Sequence, residues 1–178
     1  MRPWSLLALT AFLAAPAEAQ TYATERGTVT FTSRVPLHTF TGTSDRLTGQ
    51  LDLDARAVDV YVDLETLETG IGRRDRDMRE TLETERYPFA EFTGRLTSRF
   101  DPGREGPQAA RVEGTFTLHG VARPLAVAGT LERTRGGLRL RARWEVRLDD
   151  HAIEPPRLLM MQVDEVQVVE IDAVLRPS

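Results

Sequence analysis

RRDRDMRETLETERYPFAEFTGRL, residues 73–96, places a short charged segment directly before a segment of alternating apolar and polar residues. In the charged half, Met78 and Leu82 lie four residues apart and would share one face of a helix. After Tyr87-Pro88 the alternation is that of a half-buried β-strand. Because the chain on both sides also alternates, the sequence predicts one short charged helix inserted into an antiparallel β-structure.

The predicted helix has a flexible entry at Gly70 and Gly72. We expect Asp75 or Asp77 to cap it and the helix to run to about Glu85. Its arginines and acidic residues balance in charge, which favours a solvated surface carrying weak ion pairs. Binding of an anion or a lipid head group by the arginine cluster is the alternative interpretation.

Most of the remaining chain has the period of β-strands. Residues 138–148, LRLRARWEVRL, place an apolar residue at every second position and charged residues between them. Residues 38–53 are long for one strand, and a bend or turn is expected near Gly42 or Ser44-Asp45. Residues 134–137, TRGG, predict a tight hairpin turn.

About eight such strands, joined mostly by turns, predict antiparallel pairing. Eight strands can close into a barrel whose interior holds either side chains or one ligand, and a two-sheet sandwich is the alternative. Small residues recur on the apolar faces, among them Gly94, Gly114 and Ala142. They fit a hollow interior, and they equally fit a filled one in which large residues lie opposite.

The first twenty residues, MRPWSLLALTAFLAAPAEAQ, have the pattern of a secretory signal peptide. Arg2 is followed by an apolar run that is shorter than the about 20 residues of a membrane span. Ala17-Glu18-Ala19 matches a cleavage site. The sequence therefore predicts a signal peptide at residues 1–19 and one domain at 20–178, with a periplasmic location, or secretion as the alternative.

Composition excludes several kinds of chemistry. The chain has no cysteine, and all 23 basic residues are arginine, so cysteine nucleophiles and lysine Schiff bases are excluded. A net charge of −4 argues against nucleic-acid binding. His38, His119 and His151 show no metal-ligand spacing, and Asp149-Asp150-His151 is the one candidate acid/base group. We assign no catalytic or metal-binding residue from the sequence.

Four segments, in this order, resemble the YceI-like family of exported bacterial proteins. They are DLETLETGIGRRD (63–75), ERYPFAEF (85–92), GTFTLHGVARPLAV (114–127) and VDEVQVVEIDAVL (163–175). The resemblance implies an eight-stranded, lipocalin-like antiparallel barrel with one inserted charged helix. It also implies a polyisoprenoid, an isoprenoid quinone or a related amphiphile bound inside the barrel, in isoprenoid transport, storage or metabolism.

Two departures from the family pattern concern the ligand's head group more than the fold. Arg76, Asp77 and Met78 follow Arg74-Asp75, where family members often carry a histidine. Glu83-Thr84 replaces an aromatic "FD" pair that is frequent before Tyr-Pro. Arg74 and Asp75 themselves are expected to fasten the helix rather than to perform chemistry.

If a ligand is bound, it should contact the apolar residues that face the interior of the barrel. The candidates are Phe31, Phe40, Leu51, Val60, Val62, Phe92, Phe116, Leu118, Leu140, Trp144, Val169 and Ile171. The hypothesis is a non-catalytic carrier or sequestering protein, with transient membrane contact for lipid exchange and homodimerisation as further expectations. A structural or interaction domain with a filled core, and a hydrolase of unknown substrate, are the alternatives.

Overall fold

A computed structural model describes residues 21–35, 38–155, 157–158 and 161–178. Eight long antiparallel strands form a closed barrel, and two very short strands, β8 and β9, form a separate hairpin. The strands are β1 (Thr21–Val35), β2 (His38–Asp52), β3 (Ala57–Asp63), β4 (Phe89–Leu96), β5 (Gln108–Leu118), β6 (Val121–Thr134), β7 (Gly137–Arg147), β8 (Arg157–Leu158), β9 (Met161–Gln162) and β10 (Val166–Pro177). The order around the barrel is β1-β10-β7-β6-β5-β4-β3-β2, so the predicted barrel is confirmed and the sandwich alternative is wrong.

One α-helix, α1 (Gly72–Leu82), lies between β3 and β4, and short 3-10 turns occupy Leu64–Thr66 and Asp149–His151. The predicted helix start is wrong, because α1 begins before both expected capping residues. Asp75 lies in its first turn and accepts a hydrogen bond from the backbone N–H of Thr69, at 2.8 Å, so it fastens the preceding loop. The helix ends at Leu82 rather than at Glu85, because Glu83 adopts the left-handed conformation with φ of 46°.

The two longest strands, β1 and β2, pair through a change of register. Gly27 lies opposite Leu47, whereas Val29 lies opposite Ser44, so β2 contains one extra residue at this point. The Ser44 hydroxyl accepts the backbone N–H of Arg46 at 3.1 Å, which stabilises the irregularity. The bend expected near Ser44-Asp45 is therefore a β-bulge within a continuous strand.

The β5–β6 connection is a two-residue turn, His119-Gly120, in which both residues have positive φ, 52° and 72°. This is the geometry that best matches the twist of a hairpin. A Cβ atom at Gly120 would lie 2.5 Å from the ring of Tyr87, so a glycine is required here for its backbone and for its lack of a side chain. The residues that follow α1 are thereby packed directly on this turn. The hairpin turn expected in TRGG is confirmed between β6 and β7.

Packing inside the barrel varies along its length. At the end away from α1, the side chains of Leu131, Leu138 and Leu175 are only 1–2% exposed, so this end is closed by tight packing. Midway along the barrel, inward-facing residues such as Phe92 on β4 and Trp144 on β7 are only half-buried. Because these side chains face inward, their remaining exposure indicates open space inside the barrel. No helix in the described part of the chain combines the length and apolarity needed to cross a bilayer.

Candidate functional site: the barrel cavity

The barrel encloses a cavity of about 800 Å³, to which all eight long strands contribute side chains. Its wall is mostly aliphatic and aromatic, because alternate residues of each strand face inward and those positions are apolar. This volume falls in the range of about 300–1,000 Å³ that is typical of small-molecule sites. The sequence left open whether the interior is hollow or filled, and the structure shows a hollow one.

Every residue that the sequence singled out on the inward face lies in the wall of this cavity. These are Phe31, Phe40, Leu51, Val60, Val62, Phe92, Phe116, Leu118, Leu140, Trp144, Val169 and Ile171. The aromatic members form edge-to-face pairs, Phe31 with Phe40 at 6.2 Å and Phe116 with Trp144 at 6.3 Å between ring centroids. The structure thus places the predicted residues together, and their contact with a ligand stays a prediction.

The mouth of the cavity is covered by α1, and no residue of this helix was among the predicted ligand contacts. Ile71, Met78 and Leu82 contribute apolar side chains to the cavity, while Arg73 and Asp77 lie at its polar edge. The sequence feature that pointed to this role was the four-residue spacing of Met78 and Leu82 in an otherwise charged helix. That spacing identified a shared face, but it contained no information about the surface against which the face packs.

The first turn of α1 is fastened to the loop before it by Arg74 and Asp75, as expected. Arg74 Nε donates to the Thr69 hydroxyl at 2.9 Å, and its guanidinium stacks over the Phe40 ring at 4.4 Å. Hydrogen bonds from Thr69, first its hydroxyl and then its backbone N–H, hold the pKa of the Asp75 carboxyl below its usual value. Arg79 donates to the Glu65 carbonyl oxygen. Arg74 and Arg79 therefore both hold α1 in place through contacts with earlier parts of the chain.

The segment that follows α1 is fastened to the β5–β6 turn. The Tyr87 and His119 rings pack edge to face with centroids 4.7 Å apart. Glu83 Oε1 lies 3.3 Å from His119 Nε2, although the geometry at that nitrogen is not that of a hydrogen bond. Together with the Thr69 contacts, this packing fixes α1 across the mouth from both of its ends.

The candidate acid/base group is not assembled as such. The Asp149 carboxylate accepts a hydrogen bond from Arg147 at 3.0 Å, which holds the pKa of Asp149 below its usual value. The His151 ring is buried, and its Nδ1 lies 3.0 Å from the Val121 carbonyl oxygen. Asp150 is exposed and places only its backbone near Arg123. These groups stabilise the loop after β7, and they do not converge on the cavity.

A metal site is not evident either. Among the residues that the structure describes, no group of three histidine or acidic side chains is placed to bind a metal ion. The His119 Nδ1 atom lies 3.2 Å from the backbone oxygen of His151, so these two residues meet through a ring and a carbonyl. The side chain of His38 lies outside the described part of the chain.

Comparison with known proteins places this geometry in context. A search of curated proteins found no match. Among solved structures, a polyisoprenoid binding domain from Saccharophagus degradans, implicated in plant cell wall breakdown, is 18% identical with a TM-score of 0.75, and the alignment covers 90% of this chain and 100% of that one. Burkholderia cenocepacia BcnA is 12% identical with a TM-score of 0.69, covering 84% and 94% of the two chains.

A Campylobacter jejuni YceI protein is 11% identical with a TM-score of 0.55, covering 100% of this chain and 99% of that one. These similarities show a shared barrel fold. The family model of the YceI-like domain matches residues 21–175, which is nearly all of the described barrel. The chain therefore belongs to the YceI-like family.

Proposed function

We propose that this protein is a non-catalytic carrier or sequestering protein that binds a polyisoprenoid or a similar amphiphile inside its barrel. The observation that supports this most strongly is the apolar cavity, which is closed by packed leucines at one end and covered by α1 at the other. Such a space suits an elongated apolar chain, with the more polar part of the molecule toward the helix end. The fold shared with a polyisoprenoid binding domain is in agreement.

The energetics of the cavity favour this class of ligand. Each buried methylene contributes about 0.8 kcal/mol, so a five-carbon isoprene unit contributes about 4 kcal/mol before the costs of association and ordering. Two or three units enclosed by the wall would therefore offset those costs. A polar metabolite would lose its hydration in the same cavity and recover few hydrogen bonds.

The competing functions have less support. An interaction domain acting only through its surface needs no hollow interior, which leaves the cavity unexplained. A hydrolase needs converging acid/base groups, and the candidate residues Asp149, Asp150 and His151 are held in a loop outside the cavity. We infer binding rather than catalysis on these grounds.

The proposed location is the periplasm, and it rests on the signal-peptide pattern of residues 1–19, which lie outside the described residues. A carrier in that compartment would exchange its ligand at a membrane through transient contact. Homodimerisation stays a prediction from the sequence.

Native mass spectrometry of protein purified from its own host tests the proposal. We expect a bound amphiphile in the wild type and its loss in Val169→Trp, which fills the cavity between Phe31 and Trp144. Val174→Trp is the matched control on the same strand, because Val174 is 38% exposed and lies outside the cavity. A wild type without a bound lipid that also fails to take up added polyisoprenoid would contradict the proposal.

A further inference from the structure

Three polar side chains lie on neighbouring strands in the mostly apolar wall of the cavity. Ser33 on β1 is completely buried, Gln167 on β10 is 7% exposed, and Trp144 lies on β7. Because Thr32 lies opposite Val168, the next step of the same register places Ser33 beside Gln167. Trp144 lies opposite Val169, two residues along β10 from Gln167. The three side chains therefore form one polar strip, which we define as Ser33, Trp144 and Gln167.

The strip contains hydrogen-bonding groups that the protein does not use. Within the described part of the chain, neither the Ser33 hydroxyl nor the Trp144 Nε1–H has a hydrogen-bond partner. Gln167 Nε2 donates to the Asp164 carbonyl oxygen at 2.6 Å, which leaves its amide oxygen as an acceptor. Buried polar groups are normally paired, and tryptophan Nε1 can only donate. Two unpaired donors in a cavity wall thus call for an acceptor from elsewhere.

The charge around the strip limits what that acceptor can be. No member of the strip is charged, and the cationic side chains at the cavity, Arg73 and Arg74, belong to α1 at the mouth. Arg74 is engaged with Thr69 and Phe40. A carboxylate or phosphate beside the strip would lose its hydration without gaining a counter-charge, which is strongly unfavourable. A neutral oxygen would lose less hydration and gain a hydrogen bond from the strip.

We infer that the polar strip binds an uncharged carbonyl oxygen of the amphiphile, with Trp144 Nε1 and the Ser33 hydroxyl as its donors. This inference rests on the proposed function and specifies the ligand's head group. Both donor atoms are shielded from solvent although both residues line the cavity, so each side chain must turn its donor toward the cavity when the oxygen binds. The apolar chain of the ligand then occupies the remaining cavity.

Three probes with the same eighteen-carbon chain separate the head-group classes: oleamide, oleate and cis-9-octadecene. Binding to delipidated protein from its own host is measured by calorimetry for the wild type, Ser33→Ala and Trp144→Phe. The second substitution keeps an aromatic ring and removes the N–H. Ser98→Ala, outside the cavity wall, is the control, and thermal unfolding verifies that each variant is folded.

We expect the wild type to bind oleamide more tightly than either other probe. Each strip substitution should weaken oleamide binding by about 2- to 12-fold, the effect of one hydrogen bond, and change cis-9-octadecene binding by less than twofold. Tighter binding of oleate, or equal losses for oleamide and the hydrocarbon, would overturn the inference while leaving the carrier proposal intact. Failure of all three probes to bind the wild type would overturn both.

Discussion

Leu138 and Leu140 offer a matched test of the hollow interior, because both lie on β7 and both face inward. Leu138 is 1% exposed in the packed end of the barrel, whereas Leu140 is half-buried and borders the cavity. Truncating either residue to alanine removes the equivalent of about three methylene groups. The same chemical change is thus made in a packed environment and beside an existing space.

The two truncations should differ in cost. For Leu138→Ala, the transfer of about three methylenes gives about 2.4 kcal/mol, and a newly formed cavity raises the loss of unfolding free energy to about 3–5 kcal/mol. For Leu140→Ala, the space already exists and the side chain is partly exposed, so we expect about 1–2 kcal/mol. A difference of about 2 kcal/mol corresponds to about 4–8 °C in Tm for a chain of this length.

Urea unfolding of delipidated protein measures both values on one scale. When the lipid is added back, Leu140→Ala should lower the free energy of unfolding by more than it does without lipid, because the substitution then also removes the contact between Leu140 and the lipid. The loss caused by Leu138→Ala should stay nearly unchanged. Equal costs for the two substitutions in the lipid-free protein would refute the distinction between a packed end and a hollow one.

Two further predictions concern the attachment of α1. Asp75→Asn should destabilise the protein by about 1–3 kcal/mol at neutral pH, because Thr69 loses a charged acceptor. Since the pKa of Asp75 is lowered in the folded state, its contribution is present above the usual value of about 3.9 and is lost as the pH falls through the folded pKa. The stability gap between wild type and Asp75→Asn in urea unfolding should therefore narrow below about pH 4, and a constant gap would contradict this reading. Gly120→Ala should cost about 1–3 kcal/mol in thermal unfolding, because its positive φ and the adjacent Tyr87 ring both disfavour a side chain. Gly103→Ala, which has neither constraint, should cost less than that, and a similar loss in both variants would argue against the proposed packing.

The wall of the cavity could be predicted from the sequence because alternation directly reports which side of a strand a residue occupies. Val60 and Val62 on β3, and Leu140 and Trp144 on β7, could be assigned to the inward face in this way. Alternation does not report what lies across the barrel from a given residue. Whether the interior is hollow depends on strand order and tilt, so it could not be decided from the sequence.

The placement of α1 could not be predicted for a related reason. Its position depends on contacts between residues far apart in the chain, such as Tyr87 with Gly120 and Arg74 with Phe40. The helix start was wrong because an aspartate near a helix N-terminus usually caps it, whereas Asp75 turns back to Thr69. The polar strip was missed although a signal existed, since Ser33 occupies an inward position on an otherwise apolar face.

Quenching of Trp144 fluorescence by a brominated acyl chain tests most directly whether the cavity binds an apolar ligand. The chain has two tryptophans, Trp4 and Trp144, and Trp4 lies in the predicted signal peptide, so the protein from residue 20 onward contains only the tryptophan in the cavity wall. With an amide head group on the brominated chain, we predict saturable quenching at one chain per protein, and no quenching by a short brominated amide. Absence of saturable quenching, in protein shown to be folded and free of lipid, would contradict ligand binding in the barrel.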